Sequence, residues 1–405
     1  MDINNLPLET FVEILKRTDG YSLGKCRRVC KQWKEIIDVT SLLWQEFCRK
    51  DFKHASTIAK RKVGDDVQWY HIYKNLTMWS TKTSDVDKEL REFFKFNEED
   101  TLHALETDYN LLPLRDNRGF VLYEITTLKY LPVAVPEKHC LKISHNTCAS
   151  AILTKSGLYL QRSVENPAHT SEAFFQADNF ILTKDALYFY KDRDVFKCLL
   201  TLEKIPLKLI LRCDYDIKEM KVSDDIVYIF TRCGKIVTIS NDKNLSVKPI
   251  NIPVEWIQHI KHICALDDKN FICYSRRLFK IETDKYQHLY LDFPPISALF
   301  FYSDFVIIGT TTSEILLYRL FCQERNTKPS FEVLATLPDG KYAVHLDICE
   351  RKTGPLIIIG THLEIILLDL EFFPHETPGK ISFPPNKLAM YKRMLKLRDR
   401  LKAKQ

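Results

Sequence analysis

One pattern restricts the fold more than any other: a pair of short β-patterned runs joined by a tight polar turn, which returns seven times after residue 100. The seven pairs occupy residues 111–125, 151–161, 187–199, 226–239, 270–281, 305–320 and 356–370. Each alternates apolar and polar residues and is rich in Val, Ile, Tyr and Phe, as residues 226–231 and 235–239 are on either side of Arg232-Cys233-Gly234. That is the signature of a β-hairpin. The first apolar residue after each turn (Phe120, Leu158, Val195, Ile236, Leu278, Ile315, Ile365) follows the previous one by 37 to 50 residues, about 41 on average. A repeat of about 40–45 residues predicts a four-stranded propeller blade. Residues 215–253 show all four strands in order, at 217–222, 226–231, 236–240 and 245–252. Prolines 136, 167, 206, 253, 294, 338 and 384 punctuate the repeat. A single blade buries too little apolar surface to stand alone, so seven must stack and close. A sandwich or a barrel of irregular hairpins is the alternative the pattern leaves.

The propeller is divergent. Trp256 is the only tryptophan after residue 79, so the Trp-Asp signature of WD repeats is missing, and no double glycine of the kelch type occurs. Before residue 100 the period is helical. Phe11, Ile14 and Leu15 share one helix face, and Asp19-Gly20 breaks that helix. Leu23, Cys26, Val29, Cys30, Trp33, Ile36 and Ile37 continue as an apolar stripe. Trp69, Ile72, Tyr73 and Leu76, then Val86, Leu90, Phe93 and Phe94, predict further amphipathic helical pieces. The fold class expected is multidomain, α plus all-β. It comprises a three-helix module at 1–52, a helical linker at 53–100, a seven-bladed β-propeller at 101–385 and a basic tail at 386–405.

The net charge of +6 resides almost wholly in that tail, which carries eight basic side chains against one acid, Asp399. A neutral body gives no support for specific nucleic-acid binding. No apolar run approaches the ~18 residues of a membrane span. The first residues, MDINNLPLE, lack the basic and apolar regions of a secretory signal. Twelve cysteines are too sparse for a disulfide scaffold, which places the chain in a reducing compartment, cytoplasmic or nuclear.

Residues 6–48 resemble an F-box. Leu6-Pro7-Leu8-Glu9 opens the motif, followed by Phe11, Val12, Ile14 and Leu15, then Leu23, then Val29-Cys30-Lys31-Gln32-Trp33, then Leu43-Trp44. Gly24 inside the second helix is a small departure, costing up to about 1 kcal/mol of helix propensity. The resemblance implies binding to a Skp-type adaptor and, through it, to a cullin–RING ubiquitin ligase. A helical module of this size cannot bury all of these apolar side chains within itself, which leaves some of them for an interface.

If each hairpin is the middle pair of its blade, the turns crown one rim of the ring. Those turns carry Arg115 and Arg118, Lys155, Lys191 and Arg193, Arg232 and Lys235, and Arg276 and Arg277; the last two carry Glu314, His362 and Glu364. A cationic arc of this kind suits an acidic or phosphorylated protein segment, because guanidinium groups bind such anions bidentately. Asp116, Asp192 and Asp194 offset part of it.

No enzyme signature is present: G-x-S-x-G, H-E-x-x-H and the phosphate-binding G-x-x-x-x-G-K-[ST] are all missing. No catalytic residue, cofactor or metal is therefore expected. Cys26 and Cys30 lack a second ligand pair, and His259, on a strand, would face away from His262 and Cys264. The reading is a non-catalytic substrate receptor of a Skp–cullin–F-box ligase, monomeric within its complex. A scaffold that assembles a complex without degradation is the alternative.

Overall fold

A computed structural model describes residues 8–79, 86–95, 111–116, 119–131, 140–146, 148–162, 172–200, 206–223, 225–240, 244–320 and 329–372. Six helices come first: α1 (Leu8–Lys16), α2 (Gly20–Cys26), α3 (Lys31–Val39), α4 (Ser41–Asp51), α5 (Lys53–Val63) and α6 (Trp69–Met78). The breaks between them have local causes. Asp19 caps α2, its Oδ1 accepting from the Ser22 amide at 2.7 Å. The stripe from Leu23 to Ile37 is two helices, because Cys30 takes an extended conformation and its Sγ accepts from the Trp33 amide at 3.4 Å, capping α3. Gly20 is dictated by packing: a Cβ there would fall 2.1 Å from the Tyr73 hydroxyl of α6. Gly20→Ala is expected to cost at least about 1–3 kcal/mol by forcing α2 from α6, visible as a lower midpoint in urea.

The remaining chain forms seven sheets. Six contain four strands, and the first, formed by Leu111–Asp116, Gly119–Glu124 and Lys129–Leu131, has three among the described residues. Every expected hairpin is present, and in each four-stranded sheet it is the middle pair. In the fourth blade the strands are Ile217–Ser223, Ile226–Thr231, Lys235–Ser240 and Asn244–Pro249, all antiparallel. The turn between its middle strands needs Gly234, whose φ is +77°. First strands of successive blades pack side by side around a central channel. The second strands of the sixth and seventh blades, Phe305–Thr310 and Pro355–Gly360, are buried on both faces throughout. Apolar clusters between blades cement the ring, such as Ile272, Phe279, Phe293, Val306 and Tyr318 between the fifth and sixth.

The segment at 86–95 corrects the sequence reading. It is a strand, β1 (Val86–Lys95), and not a helix. It forms the outermost strand of the seventh blade, beside Glu364–Phe372, with Pro355–Gly360 and His345–Glu350 further in. Arg91 Nε meets Asp369 Oδ2 at 2.9 Å across that edge. The ring therefore closes with a strand that precedes all other blades in the chain, a closure that removes the free edge of the last hairpin.

A second difference concerns residues 53–79. They are not a spacer but a docked element. Helix α5 lies over the ends of the inner strands, where Ile58 packs against the cluster holding Leu266 and Phe301. Lys62 forms a buried ion pair with Asp347, and His54 Nδ1 lies 3.7 Å from Asp267 Oδ2. Trp79 stacks on Phe305 with centroids 4.7 Å apart and donates from its indole Nε1 to Glu350 Oε1 at 2.8 Å. Arg319 donates to the Trp79 carbonyl at 2.7 Å, and Asn75 to the Arg351 carbonyl at 2.9 Å. These contacts all lie at the rim where first strands turn into second strands. The turns of the middle hairpins lie at the opposite rim, and the docked helices leave it uncovered.

Candidate functional site

The helical module presents one candidate surface. Leu6 and Pro7 lie outside the described residues, and Leu8 opens α1. Phe11, Leu15, Leu23, Leu43 and Trp44 are buried, and they hold the helices together rather than facing outward. This divides the set read as adaptor-binding: its buried members form the core of the module. Phe11 meets Trp33 edge-on with centroids 4.8 Å apart, which joins α1 to α3. Val12 and Trp33 are half-buried and Cys30 is exposed, while Ile14 is 41% and Val29 63% exposed. Two large side chains that the motif did not single out are also outside, Tyr21 at 61% and Leu42 at 70%. Apolar side chains this exposed on a small module are available to an interface. Behind them Arg27 pairs with Asp38 and lies 4.0 Å from the Tyr70 ring centroid, tying α2 and α3 to α6.

The rim of the hairpin turns is the second candidate surface. Arg115 lies in the second-to-last position of its strand, and Arg118 lies outside the described residues. Arg193 and Arg232 come together in a cleft of about 910 Å³ between the third and fourth blades. The cleft is not a free cationic arc. Arg193 Nε meets Asp216 Oδ1 at 2.8 Å, Lys191 meets Asp178 Oδ1 at 2.6 Å, and Arg212 binds both oxygens of Asp194 at 2.8 and 3.0 Å. The Arg212 hydrogen bond holds the Asp194 carboxyl below its ordinary range. Five cations there face five aspartates. Three of those acids, Asp178, Asp214 and Asp216, arrive on the connections between blades, which a reading of hairpin turns alone does not reach.

Around the fifth blade the balance differs. Arg276 and Arg277 are exposed, and Arg277 has one loose pairing, 3.7 Å from Asp292. Arg276 has no side-chain partner among the described residues. The backbone carbonyls of both accept hydrogen bonds, from Ile296 and Phe293, so the turn itself is fixed. A short helix, Val254–Ile257, sits on the same rim with Ile257 against Gly234. Its Val254 is 82% exposed, and Leu291 beside Asp292 is 48% exposed. The rim here offers one cation without a side-chain partner among the described residues, Arg276, and one loosely paired, Arg277, with exposed apolar side chains on the same rim.

No group of three or more His, Cys, Asp or Glu able to hold a metal exists among the described residues. His262 stacks on Tyr274 at 5.1 Å, a packing role. Burial pushes the Cys48 and Cys273 thiols up to about 12, so neither is a nucleophile at neutral pH. Among the described residues, no helix is long and apolar enough to cross a membrane.

Comparison with known proteins identifies the helical module: residues 3–50 match the F-box-like family. The chain carries an F-box-like domain. No curated protein matches the chain in sequence. Solved structures that align with it do so at low identity. Hsv2 from Kluyveromyces lactis aligns at TM-score 0.45 and 11% identity over 67% of this chain and 98% of that one. The N-terminal domain of Nup159 aligns at 0.45 and 11% over 72% and 97%. An F-box-like domain followed by a seven-bladed propeller fits an F-box substrate receptor in general.

Proposed function

We propose that the protein is the substrate-recognition subunit of a Skp–cullin–F-box ubiquitin ligase. The F-box-like helices bind a Skp-type adaptor, and the propeller holds a protein substrate near the ubiquitin-charged enzyme. The observation that carries this reading is the pairing of residues 3–50, F-box-like and still exposing Ile14 and Val29, with a ring whose helices dock on one rim only. The chain itself performs no chemistry in this reading. Its contribution is proximity, which raises the effective concentration of a substrate lysine. The rigid dock matters, because a floppy linker would dilute that effect. Arg276 and Arg277, on the rim that also exposes Val254 and Leu291, suit a substrate segment with acidic or phosphorylated residues next to an apolar one. Such a receptor works in the cytoplasm or nucleus, as one copy per complex.

Ile14→Glu with Val29→Glu is the test. Both side chains are outside the helical core, so the fold is retained while the interface gains two buried charges. Adaptor co-purification is expected to fall by more than about tenfold, with an unchanged circular-dichroism spectrum. Adaptor retained at the wild-type level by the variant, or never bound by the wild type, would sink the reading. Substrate levels that stay constant after depletion, with the adaptor still bound, favour the scaffold alternative.

A further inference from the structure

Several charged groups on the uncovered rim are committed to one another. Arg193, Lys191 and Arg212 each meet an aspartate at 2.6–2.8 Å, within hydrogen-bond reach. The turn of the fifth blade is different. Arg277 Nη1 lies 3.7 Å from Asp292 Oδ1, beyond hydrogen-bond distance, and the two side chains are 68% and 91% exposed. Arg276, next to it, is exposed and has no side-chain partner among the described residues. Asp292 cannot leave this turn, because the chain after it is pinned there. The Phe293 amide donates to the Arg277 carbonyl at 2.9 Å, and the Phe293 ring stacks on Phe279 with centroids 4.2 Å apart. Pro294 and Pro295 follow, each with φ fixed by its ring. The Ile296 amide then donates to the Arg276 carbonyl at 2.9 Å. The Asp292 carboxylate is thus tethered beside the turn without a hydrogen bond to Arg277.

We propose that Asp292 is a specificity-determining residue of this rim: it competes with the substrate for Arg277, and so favours segments with two negative charges close together over segments with one. The inference rests on the receptor reading above. A single carboxylate that displaces Asp292 exchanges one acid for another and gains little, because exposed ion pairs contribute little. The tether also keeps the displaced Asp292 nearby, where it repels the newcomer. Two adjacent acids, or a phosphate monoester, instead engage Arg276 and Arg277 together, and guanidinium groups hold such anions through paired hydrogen bonds. Leu291, 48% exposed and next to Asp292 in the chain, offers an apolar contact to the same segment.

The test is fluorescence anisotropy of short peptide pools on the full chain. The pools have randomised flanks around a leucine and differ only beside it, with one glutamate, two adjacent glutamates or one phosphoserine. The wild type is expected to bind the doubly charged pools more tightly, and the tighter of those two tells adjacent acids from a phosphate. Asp292→Asn should tighten the one-glutamate pool by about two- to fivefold and the doubly charged pools less, so that the preference narrows. Arg276→Gln should weaken the doubly charged pools by about tenfold. Equal changes for all three pools in Asp292→Asn, with Arg276→Gln still impaired, would overturn the role of Asp292 and leave the rim as a substrate surface. No binding of any pool by the wild type, or binding indifferent to Arg276→Gln, would overturn both.

Discussion

A chain beginning at residue 96 is expected to lose the cooperative unfolding of the ring and to aggregate, whereas a chain beginning at residue 80 should remain a folded, if weakened, propeller. The two differ by β1 (Val86–Lys95), the strand that completes the seventh blade from the other end of the sequence. Without it, the strand Glu364–Phe372 presents an open edge whose neighbours Ile365, Ile366, Leu367 and Leu368 are buried and apolar. Such an edge is a template for pairing with another chain. Asp369 also loses Arg91, although Arg351 remains to it. Ladder hydrogen bonds contribute about 1 kcal/mol each. The loss of β1 therefore costs about 1 kcal/mol for each ladder bond it made, a large share of the whole stability of many domains. Urea unfolding and light scattering of the two truncations decide the matter. Equal midpoints and equal monomer content would show that β1 does not close the ring. A practical consequence follows for dissection of the protein: cutting at the apparent end of the helices removes part of the propeller.

The misreading of β1 shows where the sequence stops being informative. In its ten residues, Val86, Leu90, Phe93 and Phe94 satisfy a helical face, while Val86, Leu90 and Phe94 also lie on one face of a strand. Nothing local separates the two. The decision is tertiary, made by the unpaired edge of a hairpin some 270 residues later in the chain. The seven hairpins were legible for the opposite reason. Each carries its own turn and its own alternation, so the local and global preferences agree. The F-box motif was legible as a pattern but not as a surface. Phe11 and Ile14 look equivalent in the sequence, yet one is buried and the other 41% exposed, because only the packing of α1 on α3 tells them apart. The docking of α5 and α6 was invisible, since Lys62, Asn75 and Trp79 are ordinary helix residues until Asp347, Arg351 and Glu350 meet them.

That last contact leads to the second large effect. Trp79→Ala is expected to destabilise the protein by about 3–5 kcal/mol, the usual range for removing a buried Trp, and to uncouple the helices from the ring. Burial pushes the Glu350 carboxyl up to about 7, opposed by hydrogen bonds from Trp79 and Tyr302 and by the nearby Arg351 charge. Its Oε1 takes the Trp79 indole at 2.8 Å and the Tyr302 hydroxyl at 3.2 Å, so Trp79→Ala removes the shorter of the two. A carboxyl whose folded value lies above its unfolded value of 4.5 binds its proton more tightly in the folded state. Its contribution to stability is therefore greatest below about 4.5, declines as pH rises through about 7, and is level above that. The size of the decline is about 3 kcal/mol, the shift converted at 1.36 kcal/mol per pH unit. Glu350→Gln keeps an acceptor for Trp79 and Tyr302 but cannot ionise. Its stability should match the wild type near pH 5 and exceed it near pH 8. Trp79→Phe keeps the stack on Phe305 without the indole donor, so its loss should grow with pH as the unsupported carboxylate forms. Urea denaturation of the four proteins at pH 5 and pH 8 separates these expectations. Identical pH slopes for wild type and Glu350→Gln would mean that Glu350 titrates in its ordinary range and that the dock is held by Trp79 packing alone.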